Sequence, residues 1–106
     1  QGMGWVTGEQ LYFSDKGKLL SHSPTTYKIP NIQDTPRNFT IQFIENNNNH
    51  QAVHRSKAVG EPPFLLGISV FTAIKNALSY RSSEKIKLVS PATNERILEQ
   101  LSGSMK

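Results

Sequence analysis

"SKAVGEPPFLLGIS", residues 56 to 69, sets one carboxylate, Glu61, between a glycine and two prolines, directly ahead of an almost wholly apolar run. Pro62 and Pro63 suit the first turn of a helix, where their missing amide hydrogens would have no intrahelical partner in any case. The spacing predicts a helix from Pro62 to about Tyr80. Phe64, Leu65, Leu66, Ile68, Val70, Phe71, Ala73 and Ile74 cover nearly the whole circumference of its first half, so that half is expected to be buried. Lys75, Asn76 and Ser79 mark a wetter end. The apolar run from Phe64 to about Ala77 is interrupted by Gly67, Ser69, Thr72, Lys75 and Asn76, and falls short of a membrane span.

Upstream of this helix, "FTIQF" alternates Phe39, Ile41 and Phe43 on one face with Thr40 and Gln42 on the other, the period of a half-buried strand. "NNNNH" then has no apolar side chain to bury, so a flexible loop is expected at about 45–50, and "QAVHRSKAV" reads as a second strand leading into residue 60. Prolines 24, 30 and 36 make 23–38 an irregular, ordered loop. Asp15, Lys16 and Gly17 separate two short apolar pieces, with glycine supplying the positive φ of a tight hairpin. "QGMGWVT" is too rich in glycine to hold a helix without packing, and its partner is expected to lie outside this chain. Beyond Tyr80, "IKLVS" reads as a last strand. "ATNERILEQL" reads as a last helix, with Thr93 as N-cap, Glu95 in the positive first turn, and Ile97, Leu98 and Leu101 as its apolar stripe. The fold class expected is α+β: a few short strands, a long buried helix after "GEPP", and a C-terminal helix.

A length of 106 residues suits one small domain and is too short for a large enzyme. The 36% hydrophobic content and a mean hydropathy of -0.46 fit a soluble protein. No basic region followed by an apolar core stands at the N-terminus, so no export signal is read and the expected setting is cytoplasmic. Zero cysteines exclude disulfides, iron–sulfur ligation and zinc–thiolate sites within the chain. A net charge of +4 permits a polyanionic partner, yet the twelve Lys and Arg are scattered from Lys16 to Lys106 without forming a block. Nucleic acid and membrane are therefore not expected partners. The chain opens "QGMGW" without an initiator methionine, which reads as the inside of a longer frame or the result of processing.

Glu61 is the residue in which chemistry concentrates. A carboxylate just ahead of a helix start feels the partial positive charge of unpaired amides, and an anion fixed beside an apolar wall suits a general base. Gly60 adds close backbone approach to whatever stands in front. The plainer alternative is that Glu61 only caps the helix and Gly60 only makes the turn. His50 and His54 are spaced like ligands on one helical turn, but in an extended segment residues four apart stand about 13 Å from each other, which favours surface histidines over a metal pair. His22 has no nearby Asp or Cys to complete a triad, and Tyr27 reads as a packed loop aromatic with a bonded hydroxyl. No G-x-S-x-G, P-loop or G-x-G-x-x-G is present.

"QGMGW", "SPTTYKIP", "SKAVGEPP" and "SPAT", in this order, resemble the C-terminal part of the molybdenum-binding subunit in the xanthine dehydrogenase and aldehyde oxidase family. The resemblance runs from about Gln1 to Leu101. It makes residues 1–106 a partial, C-terminal portion of a molybdopterin-binding domain. The "GW" at 4 and 5, "PPFLLGIS" and the short tail after "SPAT" look more like bacterial two-subunit enzymes than the single-chain animal form. The family's "GEPP" glutamate falls on Glu61, which the resemblance makes the catalytic base in purine hydroxylation, while the backbone of Val59 and Gly60 would line the approach to the metal.

The family implies hydroxylation of hypoxanthine and xanthine to urate. Electrons would pass to NAD through [2Fe-2S] clusters and FAD in partner domains or a partner subunit. Another molybdenum hydroxylase, acting on an aldehyde or a different N-heterocycle, is the nearest alternative. From another class comes a non-enzymatic basic nucleic-acid-binding module. The remaining pterin loops and the side chains that grip the purine would lie upstream, so the isolated chain is expected to be inactive, its partners being the rest of the subunit, the FAD/iron–sulfur subunit and the substrate, in an oligomeric enzyme. Two departures from the family pattern are the asparagine-rich loop and Asn94, where a helix-starting proline is usual.

Overall fold

A computed structural model describes residues 1–45, 51–55, 60–81 and 85–103 of the chain. Three helices organise them: α1, Gly2–Thr7; α2, Pro62–Ser79; and α3, Asn94–Ser102. The helix expected from the double proline is therefore present and ends at Ser79.

α1 carries two glycines in six residues, each costing about 1 kcal/mol of helix propensity against alanine. Its helix is a tertiary product. Gly2 and Gly4 are buried, and a Cβ on Gly2 would run into the Pro63 carbonyl oxygen and approach Gly67 Cα to 3.0 Å. From the other side, a Cβ on Gly67 would stand 2.9 Å from the Gly2 carbonyl oxygen. Backbone meets backbone because neither helix has a side chain there. The expectation that the glycine-rich segment finds its partner outside this chain is corrected by this contact: the partner is α2. A second anchor is the Ala92 amide, which donates to the Val6 carbonyl at 2.6 Å.

The hairpin forms where Gly17 takes φ +74°. Phe13 and Leu19 make one antiparallel bridge, the Leu20 amide donates to Tyr12 O at 2.7 Å, and the buried Ser21 hydroxyl accepts from the Tyr12 amide at 3.0 Å. In the loop that follows, Asn31 caps the 3-10 turn Ile32–Asp34 by accepting from the Gln33 amide at 2.8 Å. Asp34 returns the favour by accepting from the Asn31 amide at 2.9 Å.

Residues 39–43 and 86–89 have strand-like alternation but no ladder partner among the described residues. Phe39, Ile41 and Phe43 are all exposed. In the second segment the period of two shows in burial: Ile86 and Leu88 are buried while Lys87 and Val89 face outward. Residues 51–55 turn rather than extend, because His54 and Arg55 take φ of 50° and 57°, incompatible with a strand. Of the expected loop at 45–50, residues 46–50 lie outside the described residues, as do 56–59.

The core is small. Leu78, Ile86, Leu88 and Ala92 are buried together, with Phe71, Ile74 and Ile97 packed around them. Of the expected α3 stripe only Ile97 joins this cluster; Leu98 and Leu101 are exposed. The first half of α2, expected to be buried, keeps Leu65, Leu66 and Ile68 at 74%, 66% and 57% exposure. The described residues cover only the side that meets α1 and the end that meets α3, so most of its apolar circumference has nothing against it.

α3 begins as the sequence implies: the Thr93 hydroxyl accepts from the Arg96 amide at 3.4 Å. Glu95 is held below the usual carboxylate range by its own backbone amide first and by the Thr93 hydroxyl second. Thr93→Ala removes the cap, and the expected loss is about 1 kcal/mol of stability, seen as a lower urea midpoint at unchanged slope. An unchanged midpoint would mean that the cap is not stabilising this helix.

Candidate functional site

Glu61 is the N-cap residue of α2, with φ -108° and ψ 48°, and is exposed. An N-cap side chain normally accepts from the amide of the second or third helical residue. Here the second is Pro63, which has no amide hydrogen, and the amide of the third, Phe64, is taken at 3.2 Å by the backbone carbonyl of Glu61 itself. The carboxylate accordingly makes no capping bond. That weighs against the plain capping reading and leaves an anion free to meet something else. The signal was in the sequence: a proline at the second helical position removes the donor a cap needs.

Gly60 is exposed, and nothing stands within 4 Å of where its Cβ would be. A side chain at this position would meet open space among the described residues. Val59, the other backbone candidate, lies outside the described residues.

Packing supports the turn, in addition to hydrogen bonding. Gly2 presses on the Pro63 carbonyl and on Gly67, and the Trp5 ring packs on Phe64 with centroids 5.1 Å apart and planes tilted by 59°. Residues 1–5 and 63–67, distant in sequence, are therefore packed together just after Glu61. The part of α1 in this packing is what reading the sequence alone missed.

The remaining candidates lie elsewhere. His22 is exposed at an apolar groove that it shares with Leu11, Leu19, Tyr27 and Ile29. His54 is exposed, while His50 lies outside the described residues. Among the described residues no three His, Cys, Asp or Glu side chains gather as a metal site, and no helix is long and apolar enough to cross a membrane. Tyr27 is bonded as expected: its hydroxyl donates to Glu9 Oε2 at 2.6 Å.

That bond, helped by partial burial and by the Glu9 charge, raises the Tyr27 phenol above its ordinary value of 10.0. A raised acid favours the protonated form in the folded protein. Its contribution to stability is present in full below pH 10 and is lost as pH rises through the folded value. Difference absorbance at alkaline pH should show one phenolate appearing late, and Tyr27→Phe should remove that late component. A Tyr27→Phe curve that lacks an ordinary titration instead would contradict the Glu9 bond.

Residues 1–36 match the family model of the molybdopterin cofactor-binding domain. The chain is similar to xanthine dehydrogenase 1 of Arabidopsis thaliana, 46% identical over 109 residues, covering 92% of this chain and 8% of the relative. The xanthine dehydrogenase of Dictyostelium discoideum is 42% identical and the xanthine dehydrogenase/oxidase of Gallus gallus 45% identical, each over 102 residues with the same coverage. The chain spans about 8% of the length of these relatives. A match covering 92% of the chain necessarily includes Glu61.

Proposed function

We propose, for a chain that belongs to the xanthine dehydrogenase family over nearly its whole length, that it is the part of a molybdenum hydroxylase that supplies the general base, Glu61. The observation that carries this reading is a carboxylate fixed at a helix start yet engaged by no bond of the helix it begins. The residues present fit a bound molybdopterin: the turn is open at Gly60 and exposed at Glu61. Gly60, and with it Val59, would face the group through backbone.

When bound, the molybdenum–molybdopterin group supplies the two-electron redox chemistry. The chain's own contribution is proton transfer. Glu61 would accept, at a carboxylate oxygen, the proton of the hydroxyl that adds to an electron-poor carbon of the substrate, which raises that oxygen's nucleophilicity; taking up the electron pair of the substrate C–H bond is the chemistry the bound group would supply. Pro62 and Pro63 assist by fixing their own φ at the helix start and by offering no amide that would tie the carboxylate down. Hypoxanthine and xanthine are the proposed substrates, with urate as product, and the electrons leave through [2Fe-2S] clusters and FAD to NAD in the rest of the enzyme.

The α+β class belongs to the same proposal. The alternating segments 39–43 and 86–89, with their exposed Phe39, Ile41 and Phe43, are strands awaiting partners from the remainder of the molybdopterin-binding domain, and the bare side of α2 packs against that same remainder. The test of function is substitution of Glu61 in the complete enzyme, followed by substrate turnover at matched molybdenum content.

A further inference from the structure

The first turn of α2 has an unusual shortage of restraints. It has no side-chain cap, its first two residues carry no amide hydrogen, and the Phe64 amide donates to Glu61 O at 3.2 Å. The direction of that turn, and so of the Glu61 carboxylate, is therefore sensitive to what packs against it. Among the described residues, Gly2 packs there against the Pro63 carbonyl and Gly67, and the Trp5 ring against Phe64.

These contacts differ in kind. The glycine contact sets the backbone of α1 against that of α2 at Pro63 and Gly67. The aromatic contact is made by side chains, at the residue one turn after Glu61, and adds a preferred ring geometry to that backbone contact. Trp5 is also poorly accounted for as core. Half of its surface is exposed, whereas its neighbour Val6 is 5% exposed and provides the burial on α1. Tilted aromatic pairs are attractive beyond the area they bury, which gives the contact its own geometric preference.

We propose that Trp5 is a positioning residue for the general base: through Phe64 it sets the orientation of the Glu61 turn, and it touches neither substrate nor cofactor in doing so. The proposal rests on the reading of Glu61 as base. Small misplacements of a catalytic group cost up to about a hundredfold in rate, so loss of the ring should act on the chemical step and spare substrate affinity.

The test is Trp5→Ala in the complete enzyme, with kcat and KM measured at matched molybdenum content. The expected result is a fall in kcat of about tenfold or more, with KM within about twofold. Trp5→Phe, which keeps an aromatic face on Phe64, should recover most of the loss. In a Glu61→Gln background, Trp5→Ala should cost nothing further. An unchanged kcat overturns the proposal, as does a loss confined to KM, a loss that vanishes on normalising to molybdenum, or an equal loss in the Glu61→Gln background. If Trp5→Ala does not accumulate, Trp5→Leu is judged by the same criteria. Normal turnover by Glu61→Gln alone would instead remove the reading of the base itself, an outcome seen without reference to Trp5.

Discussion

Glu61→Gln, introduced into the complete molybdenum enzyme, is expected to lower kcat by about a hundredfold or more while the protein still folds and loads its cofactor. The amide is nearly the same size as the carboxylate and stands at the same exposed N-cap, so the change removes proton-accepting capacity with little disturbance of packing. No bond of α2 depends on the side chain, since the Phe64 amide is held by the backbone carbonyl of Glu61. The substitution should therefore leave the thermal midpoint within a few degrees of the parent. Activity and stability thus separate: a pure cap would lose stability and keep turnover, whereas a base loses turnover and keeps stability. Near-normal kcat at matched molybdenum content would end the assignment.

Gly67→Ala is expected to destabilise the protein by about 1 to 3 kcal/mol, the cost usual for overpacking a close contact. The sign is the informative part. At an ordinary interior helix position, glycine to alanine should add about 1 kcal/mol of stability through helix propensity. Here the new methyl would stand 2.9 Å from the Gly2 carbonyl oxygen and 3.3 Å from Gly2 Cα, and the obstacle is backbone rather than the end of a flexible side chain. α1 would have to withdraw, taking Trp5 off Phe64. Urea unfolding of parent and variant decides the matter, and a rise in midpoint would show that the two helices do not meet through Gly67. In the complete enzyme the same variant should also lower kcat, because the Glu61 turn loses both contacts with α1 together.

What was legible in the sequence is local. Pro62 and Pro63 announce a helix start because a missing amide costs nothing there, Thr93 announces another because its hydroxyl reaches the Arg96 amide, and Gly17 marks the hairpin by its positive φ. Each depends on residues a few places apart. α1 was not legible as a helix in its own right, because what stabilises "GMGWVT" is Gly67, far along the chain, and no local period records a contact between two glycines. For α2 the pattern of Leu65, Leu66 and Ile68 shows which faces require cover without showing whether this chain supplies it. Glu61 was found by its place between Gly60 and Pro62. That its carboxylate stands free of the helix followed from Pro63, a clue available in the letters but intelligible only through the geometry of a cap.

Chain order gives the contact between α1 and α2 a history. A ribosome releases Gly2 long before Gly67, and in that interval a six-residue stretch with two glycines is far below the length at which a helix sustains itself in water. Trp5 must wait as well, since Phe64 has not yet been made. The packing beneath the Glu61 turn consequently forms only once both segments have been made, and a copy that stops between Trp5 and Phe64 lacks it.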